Sequence, residues 1–424
     1  MNNQPVENLR HSLSNFDVLI ITAGIWFLGK FLRYVFPPLF ELLQETFTVT
    51  ITSLGWTFSA FLFAYAAVQF PSGFLSDTFG ASLVIASGAI LSSIAALVLV
   101  IDTPFVVFVL LMVVLGVGTG VHKTAAVQLL SETYPARRGR VLGIFDTFGT
   151  FGGVVAPVAV VIAASIPGTR SGWRLLAFIT GIVGLCFAVS FLSRVPTTIR
   201  PSEKQTADDR YSATESETPT SAESARDQAT TSWRSYARLF LNIRFSVFVT
   251  AAIFFAFTYY GIVAFLPLYL TEEAGLTPAT AGTLYSVLFI ASISQVVAGE
   301  ISDRIGTLPV IIGALGLATV SMAVFIGGTD AGAFVLGGAT LSIGFGAHSY
   351  RPVRGAYLME SLPTTLSAGG LGIVRTLTMG AGAVAPGLVG TVSDLIGFRT
   401  GFWLLFGSVV VATLLTTLLL CNDI

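Results

Sequence analysis

Twelve largely apolar runs are spaced along the chain, at 17–38, 52–76, 81–101, 104–130, 140–166 and 173–194, then 245–270, 279–301, 308–328, 332–359, 367–392 and 399–420. A helix needs about 20 such residues to cross the hydrocarbon core of a bilayer. The runs are solid rather than alternating, so they predict membrane helices and not the strands of a closed barrel. Residues 1–16 are polar and the first run opens after Asp17. That is not the short apolar segment of a cleaved signal peptide, and the run is expected to stay as the first span. The predicted fold is therefore an all-α membrane protein of twelve transmembrane helices in two six-helix bundles.

The pattern breaks once, between the sixth and seventh runs. Residues 200–232 hold seven acids among Ser, Thr and Ala. Too little apolar surface is available there to offset the entropy of ordering, so the stretch reads as a flexible linker. The expected organisation is an N-terminal bundle over 1–194, a linker over 195–244 that is largely disordered at 200–232, and a C-terminal bundle over 245–424.

Composition narrows the function classes. Charged residues make up 11% of the chain against 54% hydrophobic, and mean hydropathy is +0.82. Soluble domains carry about 25% charged residues. A soluble enzyme and a disordered protein are both excluded. Net charge is −1, so nothing draws the chain to nucleic acid. Cys186 and Cys421 stand far apart and there are three histidines, which leaves no disulfide framework and no metal-ligand spacing. No Gly-x-x-x-x-Gly-Lys-Ser/Thr loop and no hydrolytic triad is visible, so neither ATP nor any other cofactor is expected.

The distribution of Lys and Arg sets an orientation. Thirteen lie on the side of the termini and linker, and three (Arg170, Arg174 and Arg399) lie on the other. Omitting 200–232 leaves nine against three. Cytoplasmic loops are the ones enriched in these residues, so both termini and the linker are expected in the cytoplasm of a cell whose plasma membrane the chain spans. Compact loops suggest a prokaryote.

The halves repeat. Gln69, Gly73, Asp77 and Gly80 recur as Gln295, Gly299, Asp303 and Gly306, each 226 residues later, as do Gly118, Gly120 and His122 as Gly344, Gly346 and His348. Glu132 and Pro135 recur as Glu360 and Pro363 after 228, and Gly143, Pro157, Arg170 and Gly172 as Gly372, Pro386, Arg399 and Gly401 after 229. A shared order and near-constant offset is the signature of duplication. Two such halves describe a transporter that rocks one against the other around a central site.

The loop Gly73-Phe-Leu-Ser-Asp77-Thr-Phe-Gly80 and its partner Gly299-Glu-Ile-Ser-Asp303-Arg304-Ile-Gly306 resemble the cytoplasmic signature of the major facilitator superfamily. Tyr34-Val-Phe-Pro-Pro38 and Gly172-Trp-Arg174 are similar to that superfamily too. The first copy of the loop departs from it, with Thr78, Ala81 and Ser82 where basic residues are usual. Glycines let consecutive helices turn back closely, and an acid there can cap a helix N-terminus. Asp303 and Arg304 are expected to engage Glu360 and hold one access state, with Glu132 using Arg137 or Arg138. Solvation of an ordinary loop is the competing reading.

Six cations fall inside the runs, Lys30, Arg33, Lys123, Arg351, Arg354 and Arg375, against one acid away from the ends, Asp146. Each charge at mid-membrane costs about 2.5–3.5 kcal/mol on insertion scales, so it normally faces a cavity or a partner. The surplus calls for another counter-ion, and an anionic substrate supplies one. Lys30 and Arg33 are three apart, and His348, Arg351, Arg354 and Tyr357 step by three, so each set shares a helix face. The resemblance implies that spans one, four, seven and ten line the cavity, which turns Lys30 or Arg33, Lys123, and Arg351 or Arg354 inward. Arginine suits carboxylate and phosphate through its planar fork. Snorkelling to headgroups is the alternative for Arg354 and Arg375. Tyr259, Tyr260, Gln69 and Gln295 offer hydrogen bonds to the cavity or simple packing.

Asp146 and Arg375 match across the repeat and are candidates to pair, and Lys123 is a second candidate partner for Asp146. Structural pairing and proton coupling are both open for that acid. His122 and His348 titrate near neutral pH as free imidazoles and are coupling candidates as well. His122 and Lys123 are adjacent, about 100° apart around a helix, so they point in different directions. The reading is a secondary transporter of a small organic or inorganic anion, coupled to a proton or ion gradient or to exchange. It is expected to act as a monomer in the lipid bilayer, loosely like the anion-transporting branches. The alternative is a proton-driven drug efflux pump. The resemblance implies an arginine in span four for most such pumps, and Leu111-Met-Val-Val-Leu-Gly116 has none.

Overall fold

The computed structural model describes residues 4–166, 172–195, 237–363 and 366–421. The linker 200–232 and Arg170 lie outside the described residues. Among the described residues the chain is helical and contains no strand. The N-terminal half comprises α1 (Gln4–Val35), the short α2 (Phe40–Phe47), α3 (Ile51–Phe79), α4 (Ala81–Val98), α5 (Phe105–Gly120), α6 (His122–Thr133), α7 (Arg138–Ala164) and α8 (Gly172–Arg194). The C-terminal half comprises α9 (Ile243–Glu272), α10 (Pro278–Ile290), α11 (Ser294–Ile305), α12 (Thr307–Gly327), α13 (Ala333–Ser361), α14 (Ser367–Ile396) and α15 (Phe398–Cys421).

Each expected apolar run corresponds to one crossing, but two crossings are broken. The fourth interrupts at Val121 between α5 and α6, and the eighth passes through a 3-10 turn at Ala291–Ile293 between α10 and α11. Eleven described helices are long and apolar enough to cross a membrane. The crossing left out is α13, whose Gly, Ser, His and Arg residues lower its hydropathy. It carries Arg351 and Arg354. A feature absent from the run pattern is α2, which follows a 3-10 turn at Pro37–Leu39.

Local chemistry fixes several helix ends. Thr50, Asn242 and Thr277 each accept a backbone N–H at the start of α3, α9 and α10, which satisfies a donor the helix itself leaves free. Gly80 and Gly306 end α3 and α11 with φ of 87° and 91°, a region costly for any side chain. These are equivalent positions of the repeat, and each allows the next helix to start at once.

In the N-terminal half α1 packs on α7 and α8, and α4 on α5 and α8. In the C-terminal half α9 packs on α14 and α15, and α12 on α13 and α15. The halves meet through α3 against α14 and α7 against α10. Contacts are tight at the face opposite the linker. A Cβ on Gly55 would lie 2.4 Å from the Pro386 carbonyl oxygen. The Thr52 N–H donates to the Asp394 carboxylate at 2.7 Å, the Gly387 N–H to Ser59 Oγ at 2.9 Å, and Ser286 Oγ to the Val154 carbonyl at 2.9 Å. Toward the linker side the last hydrogen bond between halves among the described residues is Gln69 Nε2 to Met379 Sδ, at 3.2 Å. Beyond it Gly143, Gly299 and Gly372 have open space where a Cβ would go. The bundle is thus sealed on the far face and parted on the linker face.

Candidate functional site

The cavity between the halves collects charge from five helices. On α1, Trp26, Lys30 and Tyr34 are spaced by four and share a face. The Lys30 ammonium lies 5.0 Å from the Trp26 ring and 5.6 Å from the Tyr34 ring. One turn on, Arg33 is buried, and its guanidinium carbon sits 3.7 Å from the centre of the Tyr65 ring of α3. The closeness is that of a cation over an aromatic face, an attraction to the ring quadrupole. From the other half, Arg351 of α13 lies 5.4 Å from the Tyr259 ring of α9, and Arg354 lies 5.8 Å from Tyr350.

These groups form one electrostatic unit. Lys30 and Lys123 lie over one Trp26 ring, at 5.0 and 5.2 Å, and across the halves Tyr34, beside Lys30, meets Phe289 at 4.4 Å. Lys30, Arg33, Lys123, Tyr259, Arg351 and Arg354 thus stand around one region, where Tyr260 also meets the Tyr259 ring at 5.6 Å. Arg375 is exposed. Gln295 donates to the carbonyl of Ser292, in the 3-10 turn just before its helix.

Asp146 pairs with Lys123 and not with Arg375, its equivalent in the repeat. The Lys123 ammonium donates to Asp146 at 2.8 Å, and Asp146 is 56% exposed. His122 and Lys123 both lie beside the Trp26 ring, at 6.0 and 5.2 Å, but take different polar partners. Lys123 turns to Asp146, while His122 is buried with Nε2 3.1 Å from the Thr22 carbonyl and its ring stacked on Trp26. His348 is buried beside Tyr259 and Phe289, at ring-centre distances of 6.1 and 6.5 Å.

The gating loops have partners other than those expected. Arg304 pairs with Glu300, one turn earlier on α11, and Glu360 accepts from Thr307 Oγ1 at 3.1 Å. In this conformation Glu360 bonds Thr307 and Arg304 bonds Glu300, a pair four residues apart on one helix that needs no loop to be ordered. In the first half Gln128 Nε2 donates to both Asp77 and Glu132, at 3.2 Å each, and this replaces the expected use of Arg137 or Arg138. Gly73 meets only Thr124 of α6, at 3.7 Å from a Cβ position. These contacts are exposed, and such pairs are worth about 1 kcal/mol or less.

Sequence reasoning missed Trp26 and Tyr65. Trp26 was legible as an aromatic one turn before Lys30. Tyr65 was not, since nothing in the spacing of α3 marks it as the platform for an arginine on α1.

Comparison with known proteins comes down on one family. The family model for the Major Facilitator Superfamily matches residues 22–349 and 291–423. A hexuronate transporter of Bacillus subtilis is 25% identical over 386 residues, 87% of this chain and 86% of that one. A probable sulfoacetate transporter of Cupriavidus necator is 26% identical over 62% of this chain, and the match spans 59% of that relative's length. A solved D-xylose–proton symporter superposes over 95% of this chain and 97% of its own, with a TM-score of 0.75 at 18% identity. That last likeness speaks for the fold alone.

Proposed function

The chain belongs to the Major Facilitator Superfamily and is a membrane transporter, and from that premise we propose that it carries a small anionic solute by alternating access. The observation that carries the reading is the cavity's unbalanced charge. Lys30, Arg33, Arg351 and Arg354 have aromatic neighbours and no ion pair among the described residues, and the one intramembrane acid is occupied by Lys123. Buried cations in a low-dielectric cavity raise the local concentration of anions and repel cationic drugs, which weighs against the efflux reading. The names of the relatives, hexuronate and sulfoacetate transporter, are those of carriers of organic anions and support the same class.

In this reading the linker side is the cytoplasm, and the structure's parted face is the inward-open state of a plasma-membrane carrier. Substrate reaches Lys30 and Arg33 from one half and Arg351 and Arg354 from the other. Its negative charge offsets repulsion between the two sets and favours closure over it. Closure then requires the far-face contacts, Thr52–Asp394 and Gly387–Ser59 among them, to break. A ligand moves this equilibrium only by its difference in affinity for the two states. Asp146 is the coupling candidate, because an anion that competes for Lys123 frees its carboxylate to take a proton. His122 is committed to the Thr22 carbonyl and serves packing. His348 remains a second candidate, as it lies beside Tyr259 in the cavity wall.

Uptake into proteoliposomes settles the class. Carboxylates, phosphates, nitrate and cationic dyes are compared with and without a pH gradient. Anion uptake lost in Arg351→Gln is the expected result. Export of dyes alone, indifferent to Arg351, overturns the proposal.

A further inference from the structure

The cavity treats its cations in two different ways. Lys123 lies 5.2 Å from the Trp26 ring and is also neutralised, by Asp146 at 2.8 Å. Outside the cavity Arg174 and Arg194 are treated likewise, by Asp102 and Asp17 at 2.6 Å each. Lys123 and Arg174 have an aromatic ring as well as an acid, whereas Lys30, Arg33, Arg351 and Arg354 have the rings of Trp26, Tyr65, Tyr259 and Tyr350 and no ion pair among the described residues. An aromatic face attracts a cation through its quadrupole but carries no net charge. It fixes the side chain in place and leaves the whole positive charge to be met by something else. Arg33 shows this most sharply, being 4% exposed and 3.7 Å from the Tyr65 ring, with its Nε lacking a hydrogen-bond partner.

The four open charges are divided evenly, two on α1 and two on α13, each set three residues apart on one helix face. One negative group satisfies one set and leaves the other uncompensated in a low-dielectric wall. We propose that the site is built for a compact dianion, with one anionic group held by Lys30 and Arg33 and the second by Arg351 and Arg354. This rests on the anion-carrier reading and narrows its substrate class. The two sets stand close across the halves, since Lys30 lies 5.6 Å from the Tyr34 ring, Tyr34 meets Phe289 at 4.4 Å, and Phe289 neighbours His348, three residues before Arg351, at 6.5 Å, so the two anionic groups are joined by a short carbon chain. Joining them in one molecule avoids the entropy of immobilising two separate monoanions. It also ties the N-terminal half to the C-terminal half, which a monoanion seated on one helix does not.

The test is a matched pair of ligands. Succinate and succinamate have nearly the same size and differ by one carboxylate, as do malonate and malonamate. Each is titrated by calorimetry into the purified full chain in detergent, at fixed low ionic strength and a pH where all carboxyls are ionised. The expected result is a dianion affinity at least about tenfold above that of its monoamide. The ratio should fall toward one in Arg33→Gln and equally in Arg351→Gln. Equal affinities in the unaltered protein overturn the dianion proposal and leave the anion reading standing. A ratio that collapses in only one of the two variants also overturns it, since the ligand then touches one half. Binding of a cationic dye with no binding of any carboxylate overturns the anion reading itself.

Discussion

The two halves of this transporter agree in their scaffold and disagree in their charge. Gly80 and Gly306 end equivalent helices at nearly the same positive φ, 87° and 91°. Gly118 and Gly120 let α5 approach the helices beside it, and Gly344 and Gly346 do the same for α13. Ionisable positions are another matter. Lys123 and Asp146 form an ion pair, and their equivalents in the second half are Ser349 and Arg375. Asp394 caps the start of α3 across the interface, and its equivalent in the first half is Ser165, which bonds its own helix. Duplication preserved what both halves need in order to pack, while the cavity needs its two walls to differ.

The largest effect expected from breaking this comparison is on the shared scaffold. A Cβ on Gly118 would meet the Gly88 carbonyl oxygen at 2.8 Å, and one on its equivalent Gly344 the Leu288 carbonyl oxygen at 2.7 Å. Gly118→Leu and Gly344→Leu should each cost about 3 kcal/mol, the upper range for overpacking, seen as a lower melting temperature in detergent. If only one of them does so, the halves are not mechanically equivalent.

Next come the charges. Arg351→Gln should lower anion uptake, as kcat/KM, by about 10- to 100-fold, the worth of a charge-assisted hydrogen bond. Arg375→Gln, at an exposed position, should change it by about threefold or less. Comparable losses would bring Arg375 into the site. A smaller effect is expected for the ion pair. A double-mutant cycle on Lys123→Gln and Asp146→Asn should give a coupling under about 1 kcal/mol, because Asp146 is 56% exposed and water screens the pair. Asp146→Asn alone should tighten anion binding a few-fold by freeing Lys123.

The smallest effect lies at the seal. Asp394→Asn removes a carboxylate from the Thr52 N–H. That should weaken the closed far face by about 0.5 kcal/mol, the scale of a charge at a helix N-terminus. Labelling of Thr391→Cys by an impermeant thiol reagent should then rise about twofold, since Thr391 sits at that interface beside Trp56.

What could be read along the chain follows from these contrasts. Gly80 and Gly306 announced two helix ends because their role is local and repeated. Lys30 with Arg33, and Arg351 with Arg354, announced shared faces because spacing on one helix fixes relative direction. Asp146 had two legible partners, and choosing between them required the distance between α6 and α7. Glu360 likewise had more than one legible partner: in this conformation it takes Thr307 while Arg304 takes Glu300, and exposed partners within reach differ by little in energy. Tyr65 was invisible because nothing local marks it.

The sequence by itself determined the number of crossings, the duplication and the excess of intramembrane cations. Each of these is a sum over residues or a repeat along one dimension, and the cost of polar groups in lipid makes such patterns strict. Tertiary structure alone decided that α3 seals against α14 at the far face, that Arg33 rests on Tyr65, and that Lys123 takes the only central acid. Those depend on which helix faces meet in space, and packing and short-range electrostatics are settled only where the helices touch.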